Sequence, residues 1–311
     1  MRRSLGAIMT ELVDYAGLFP PAELSMPAAC ELFVAHRESA ASWMLGHFVC
    51  PASRMTELAA QARERGAARL RVSMLARPSG DGAAFVAAAM DAAGELQNWN
   101  RSDAPLAVGA IELRLPSDLL EDEAELRRAL VTVVDLFPTE AGCEVFVEGT
   151  PARSARLAEA LQHAGGGRLG LKLRTGGVTP DAVPSVEQVA ECLIASAATG
   201  LPWKATAGLH HPLRHFDRTV GTTMHGFLNV FLAALFARSG RSSHAELIRL
   251  LSEDDPGAFQ FDDEAAHWRD LSLSTVEIQA FRAQVRSFGS CSFDEPRDDL
   301  VTLGHAPRTA S

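Results

Sequence analysis

The chain has 311 residues, 47% hydrophobic and 22% charged, an ordinary globular composition with enough length for a substantial core. A formal net charge of −10 argues against a nucleic-acid partner, because neutralising a phosphate backbone needs a basic face. Apolar runs fall short of the ~18 residues of a membrane span, Glu11 and Asp14 interrupt the only signal-like start, and five scattered cysteines (30, 50, 143, 192 and 291) fit a reducing cytoplasm.

Residues 7–14 read as a first strand or short helix ending at Asp14, and Tyr15-Ala-Gly-Leu-Phe-Pro-Pro as a proline-stiffened turn. A helix is expected over 27–40, then a strand over 45–50 closed by Pro51 and a helix to about residue 65. Strand 69–76, the break Pro78-Ser-Gly and an alanine-rich helix over 82–97 follow. Strand 106–115 precedes helix 121–136, and strand 144–148 precedes helix 152–164. This alternation with short links implies a parallel sheet.

Two near-copies of one pattern come next, Lys172-Leu-Arg-Thr-Gly176 and Lys204-Ala-Thr-Ala-Gly208. Each follows an apolar or small-residue run and breaks on glycine, as the carboxyl end of a buried parallel strand does. Between them, Val186, Val189, Ala190, Leu193 and Ile194 give a helix its apolar face. The unit is therefore β-α-β, with a lysine at the top of each strand. These are the only two lysines among the 29 basic residues. Wherever a positive charge suffices, the chain uses arginine. A guanidinium keeps its charge, whereas a buried amine can lose a proton and attack a carbonyl to form a Schiff base. The plainer alternative is an arginine-biased chain whose two lysines only bind an anion.

From residue 212 to about 285 the segment is too long for an ordinary β-α link. It holds the strongly apolar helix 224–236, a helix over 243–252 and the stretch Phe259 to Ser274. It is expected to be a helical insertion that covers the barrel mouth or supports a subunit contact, the latter allowing a homo-oligomer. An eighth strand over 286–293 would close a single (β/α)8 barrel domain spanning 1–311, and a frayed tail is expected from Leu300.

Taken together, these segments resemble the deoxyribose-phosphate aldolase family, class I aldolases on a (β/α)8 barrel. Val13-Asp14-Tyr-Ala-Gly-Leu-Phe-Pro20 looks like the family's first-strand motif, Phe48-Val-Cys-Pro51 like its second, and Gly109-Ala-Ile-Glu112 like a shortened form of its fourth. The two lysine segments are similar to its sixth and seventh. The resemblance implies that Lys172 forms the Schiff base and that Lys204 depresses its pKa by like-charge repulsion. It also implies that Glu112 helps proton transfer and that Asp14 is a further acidic site residue. Phe293 stands where the family's phosphate site has a glycine, and His210 where it has an arginine, so deoxyribose phosphate itself is not the expected substrate.

Other residues complete the expectation. Glu148 and Glu112 end adjacent strands facing one mouth, and one or the other is expected to relay protons to the lysines. Arg174, pointing to the same side as Lys172, is a carboxylate or phosphate anchor and would lower the lysine's pKa. Thr175, Gly176, Thr206, Gly208, His210, His211 and Arg214 are the remaining substrate-binding candidates. His210, His211, His215 and His225 also suggest a metal-dependent hydrolase or isomerase, although no carboxylate completes a known ligand spacing. Cys291, between Ser290 and Ser292, is either a nucleophile or structural, and Asp294 and Glu295 are expected to cap or pair nearby. The leading expectation is a Schiff-base lyase acting on a small carbonyl compound without a cofactor. A non-catalytic anion- or metabolite-binding barrel is the third reading.

Overall fold

The computed structural model describes residues 1–304 apart from 68, 77–79, 102–104, 140–141 and 166. Runs of small and apolar residues form the parallel strands β1 (Val13–Tyr15), β2 (Leu45–Pro51), β3 (Leu70–Leu75), β4 (Leu106–Arg114), β5 (Glu144–Glu148), β6 (Leu169–Arg174) and β7 (Trp203–Thr206). With β13 (Val285–Ser290) they close a barrel in the order β1-β2-β3-β4-β5-β6-β7-β13, parallel throughout. Parallel neighbours need a crossover, and here it is helical. The helices are α2 (Met26–Glu38), α3 (Met55–Glu64), α4 (Gly82–Arg101), α5 (Glu123–Leu136), α6 (Ser154–Gly165) and α7 (Val186–Thr199). The (β/α)8 expectation is met. Of the Pro78-Ser-Gly break, residues 78 and 79 lie outside the described residues.

Helix α7 shows how the sequence sets the lysine strands apart. Ser185 accepts from the Gln188 backbone N–H while the Gln188 side chain accepts from the Ser185 N–H, so two orphan donors at the helix start are satisfied together. Gly200, with φ of 70°, then ends the helix in the left-handed conformation and feeds β7.

Helix α8 (Phe227–Ser239) is buried on every side through Phe236. It packs on the barrel wall, where Phe231 stacks on Trp203 and Phe227 on Phe288 with ring centroids 5.2 and 5.4 Å apart. That explains its lack of a polar stripe: it is a crossover helix with neighbours all round. Within the segment 212–285 the helix does not roof the mouth; the part that faces it is a hairpin of β8 (His215–Asp217) and β9 (Thr222–Met224). Helix α9 (His244–Leu251) lies beyond α8. The stretch after it is a three-stranded antiparallel sheet, β10 (Phe259–Phe261), β11 (Ala265–Trp268) and β12 (Leu271–Ser274), leading to α10 (Thr275–Arg282). This sheet packs towards the first helix, α1 (Arg3–Met9), where the Ser4 backbone and hydroxyl both donate to the Asp262 carbonyl. Short strands such as Ala-Ala-His-Trp lack the length to announce themselves in sequence. The fray expected from Leu300 needs correction at its start, because α11 (Asp294–Thr302) runs through Leu300, which is buried; residues 305–311 lie outside the described residues.

Candidate active site

Each functional side chain reaches the site because strand register puts it there. Lys172 lies directly opposite Lys204 on one side and Glu148 on the other. Lys172 Nζ stands 2.7 Å from Glu112 Oε2 and 2.7 Å from Glu148 Oε2. Lys204 Nζ stands 2.6 Å from the other Glu112 oxygen, Oε1, and 2.8 Å from Asp14 Oδ2. Arg174 Nε donates to Glu148 Oε1 at 3.0 Å. The charges therefore run in one alternating line: Asp14, Lys204, Glu112, Lys172, Glu148, Arg174. Glu112 is the shared carboxylate between the two amines.

Burial makes this line costly to assemble and costly to break. Lys172 is 5% exposed, Lys204 1%, Glu112 and Glu148 4% each, and Asp14 is fully enclosed. Ions so dry are tolerated only when every lone pair and proton has a partner. Hydroxyls supply what the ion pairs leave open. Ser73 donates to Glu112 Oε1 at 2.5 Å and Ser287 donates to Asp14 Oδ2 at 2.6 Å. Asp14 Oδ1 accepts from the His47 backbone N–H at 2.7 Å, with the His47 ring at 3.2 Å. Sequence reasoning missed Ser73, Ser287 and His47. Their signal was a polar residue inside a run that otherwise reads as a buried strand.

The pKa directions follow from these contacts. Burial raises the carboxyl pKa of Asp14, but Lys204 and His47 overcome it and hold the group far below the usual range. For Glu112 burial is likewise overcome by the two lysines, which leave it at about 2. Glu148 is lowered by Lys172 and Arg174 against its burial. Burial alone would lower both lysines, yet the flanking carboxylates raise both. This corrects the expected effect of Lys204 and Arg174 on Lys172. With Glu112 between the amines and Glu148 holding Arg174, Lys172 responds to its carboxylates and is stabilised as an ammonium.

Above these charges opens a cavity of about 540 Å³ at the carboxyl end of the barrel. Its floor includes Glu112, Lys172 and Lys204, and Arg174, Thr206, Gly208 and His210 line its wall. Phe19, Pro20, Val49, Leu75, Val178 and Met224 make much of that wall apolar, with Asp217 on the hairpin as an acidic exception. Four expected binding residues lie elsewhere. Thr175 is fully buried and donates to the Ala207 carbonyl, tying β6 to the turn after β7. Gly176 is small for packing rather than for a ligand, since a Cβ there would come within 2.9 Å of Gly208 Cα. His211 pairs with Asp299, and Arg214 reaches His225.

Of the four histidines, the His211 and His215 rings meet edge to face with centroids 4.5 Å apart, while His210 and His225 are held by other partners. His210 Nδ1 lies 3.0 Å from Glu295, and His211 Nδ1 lies 2.6 Å from Asp299, both acids being on α11. His215 faces the Leu213 carbonyl. His225 is enclosed against the Pro184 carbonyl, and burial lowers its pKa to about 4. Among the described residues no group of three or more His, Cys, Asp and Glu side chains is placed to hold a metal ion. Adjacency in sequence suggested a cluster that their separate partners undo. Among the described residues, too, no helix is long and apolar enough to cross a membrane.

No family model and no curated protein sequence matches the chain. Solved structures do. A candidate deoxyribose-phosphate aldolase from Toxoplasma gondii ME49, in its apo form, aligns over 96% of this chain and 98% of its own, with a TM-score of 0.54 at 14% identity. The carboxyl transferase domain of Rhizobium etli pyruvate carboxylase aligns over 81% of this chain and 43% of its own, with a TM-score of 0.42 at 17% identity, too loose an overlap to carry an inference. The fold is that of a TIM barrel, and it is similar to the aldolase-like form of that barrel.

Proposed function

We propose that the protein is a Schiff-base-forming lyase of the class I aldolase type, acting on a small carbonyl compound, with Lys172 as nucleophile. The observation that carries it is that the chain's only two lysines meet one carboxylate, Glu112, on the floor of a cavity at the barrel's carboxyl end. That end is where barrels of this type do their chemistry. Lys172 must first lose a proton, and Glu112 and Glu148 are both within 2.7 Å to take it. The free amine then adds to the substrate carbonyl, and loss of water gives the iminium. The pair of the bond between the α and β carbons moves into the iminium as the β-hydroxyl gives its proton to Glu112 and the aldehyde so formed leaves; Glu112 returns that proton to the α carbon, and water frees the product from Lys172. Lys204 and Asp14 fix the position and charge of Glu112 throughout. Arg174, anchored through Nε, keeps its two outer nitrogens for an anionic group of the substrate. Apolar walls and His210 in place of an arginine favour a substrate other than deoxyribose phosphate.

The test is borohydride trapping with a panel of small aldehydes, ketones and 2-oxo acids, read by peptide mass. The expected result is one adduct on Lys172, absent from Lys172→Arg. An adduct elsewhere, or none across the panel, overturns the assignment of the nucleophile. One observation favours the non-catalytic alternative: the carboxylates raise both lysines, which suits a permanent ion-pair lattice holding an anion. In that case replacing both lysines with arginine preserves ligand binding.

A further inference from the structure

One nucleophile in the cavity has no part in the amine chemistry. Cys291 directly follows β13, lines the cavity and retains 8% of its surface. Its Sγ lies 3.9 Å from His210 Nδ1, and Glu295 Oε2 lies 3.0 Å from the same nitrogen. The three residues come from the exit of β13, the exit of β7 and the first turn of α11, so the fold rather than the local sequence assembles them. The other four cysteines sit differently. None of them lines this cavity, and burial pushes Cys50, Cys143 and Cys192 up to about 12 and raises Cys30.

Two further observations concern what stands around the sulfur. His210 works against its burial: its contacts with Cys291 and then Glu295 raise it to about 9, so the ring is cationic at neutral pH and its Nδ1–H lies between a carboxylate and the sulfur. Tyr15, 1% exposed, has a hydroxyl without a hydrogen-bond partner. Burial, then Cys291 and Asp294, push that phenol up to about 12. A thiol beside a cation, open to a cavity, is the setting in which cysteine becomes nucleophilic.

We propose that Cys291, His210 and Glu295 form a second covalent site in the cavity, where the thiol adds reversibly to small aldehydes. Beside the cationic ring the thiol gives its proton to water. Sγ then bonds to the carbonyl carbon, the carbonyl π pair moves to oxygen, that oxygen takes the proton on Nδ1, and the ring recovers one from water. The product is a hemithioacetal. Nothing is oxidised or reduced, and reversal of the same steps releases the aldehyde. The site does not depend on imine formation at Lys172.

The experiment is timed alkylation of the native full-length protein with iodoacetamide, read by peptide mass, with and without propanal. The expected result is that Cys291 reacts about tenfold or more faster than each of the other four cysteines, as a thiol beside a cation and open to a cavity does. His210→Gln and the milder Glu295→Gln both slow it. Propanal slows it in the wild type and in Lys172→Arg alike, so failure of the imine chemistry and failure of this site are read separately. Cys291 reacting no faster than Cys30 or Cys143, a rate unchanged by both variants, or no protection by propanal in either protein would each overturn the proposal.

Discussion

The barrel has a cavity at each end, about 540 Å³ at the carboxyl mouth and about 490 Å³ at the amino-terminal base; Lys204 borders both, and the other cations divide between them. At the base stand Arg71, Arg282 and Arg286. Arg71 pairs with Glu11, and Arg286 lies 2.6 Å from Glu144, all four side chains between a third and a half exposed. Arg282 is held by the carbonyls of Val285, Arg286 and Thr10. At the mouth the amines are dry and their neighbours are carboxylates with no other cation to serve except Arg174. The contrast lies in the partners: at the base the guanidiniums rest on part-exposed carboxylates or backbone carbonyls, even where burial lowers Arg282 to about 10. The two amines stand where buried carboxylates flank them and a proton can change hands.

The sharpest way to break that contrast is Glu112→Gln, which leaves each buried ammonium with one carboxylate instead of two. It should destabilise the fold by about 3–5 kcal/mol, in urea unfolding, and abolish any borohydride adduct at Lys172. A loss near that seen for a surface pair would mean that the mouth is wetter than its burial suggests. Next in size is Gly208→Ala. At φ of 78° a Cβ there would meet Gly176 Cα at 2.9 Å and Met224 Cε at 2.8 Å, so strain and crowding act together. A cost of about 1–3 kcal/mol is expected, with the turn that lines the cavity displaced. Thermal unfolding of that variant checks it.

The pH dependence should separate the two ends further. Asp14, Glu112 and Glu148 have lowered folded pKa values, so their contribution is complete above about pH 4–5 and is lost as pH falls, through about 2 for Glu112. The lysines are raised, so theirs is complete below about pH 10 and is lost as pH climbs beyond it. His210 adds a narrower window. Its contribution is present below about pH 6.5 and disappears as pH rises through about 9, loosening the contact between α11 and the mouth. Melting curves from pH 3 to pH 10 should show a shallow decline between 6.5 and 9 that His210→Gln removes. A flat profile there in the wild type sinks this part. The smallest effect belongs to the base: Glu144→Gln, half in solvent, should cost under about 1 kcal/mol by the same unfolding assay.

Much of this was legible in the sequence because it rests on local rules. Lys172 and Lys204 ending consecutive parallel strands follows from period and glycine breaks, and the barrel follows from the alternation of elements. Glu112 and Glu148 could be named as partners, but not that both bind Lys172, because that depends on how neighbouring strands are staggered around a closed barrel. Ser73, Ser287 and His47 were hidden for the same reason. The histidines misled because adjacency in the chain was read as convergence in space. Their partners Glu295 and Asp299 arrive more than eighty residues later on α11, and no local signal joins them. The hairpin from His215 to Met224 and the sheet from Phe259 to Ser274 escaped because strands of three or four residues leave almost no periodicity to read.

The alternating line of three acids and three bases also constrains how such a site can change over generations. Neutralising any one member leaves an odd charge in a dry core, whereas exchanging two neighbours of opposite sign restores the sum. Descent through this site should therefore proceed by paired replacements, with single-step ancestors rare. A relative that lacks Lys172 should also lack one of its two carboxylates, Glu112 or Glu148, so that losses occur in twos and the core stays neutral.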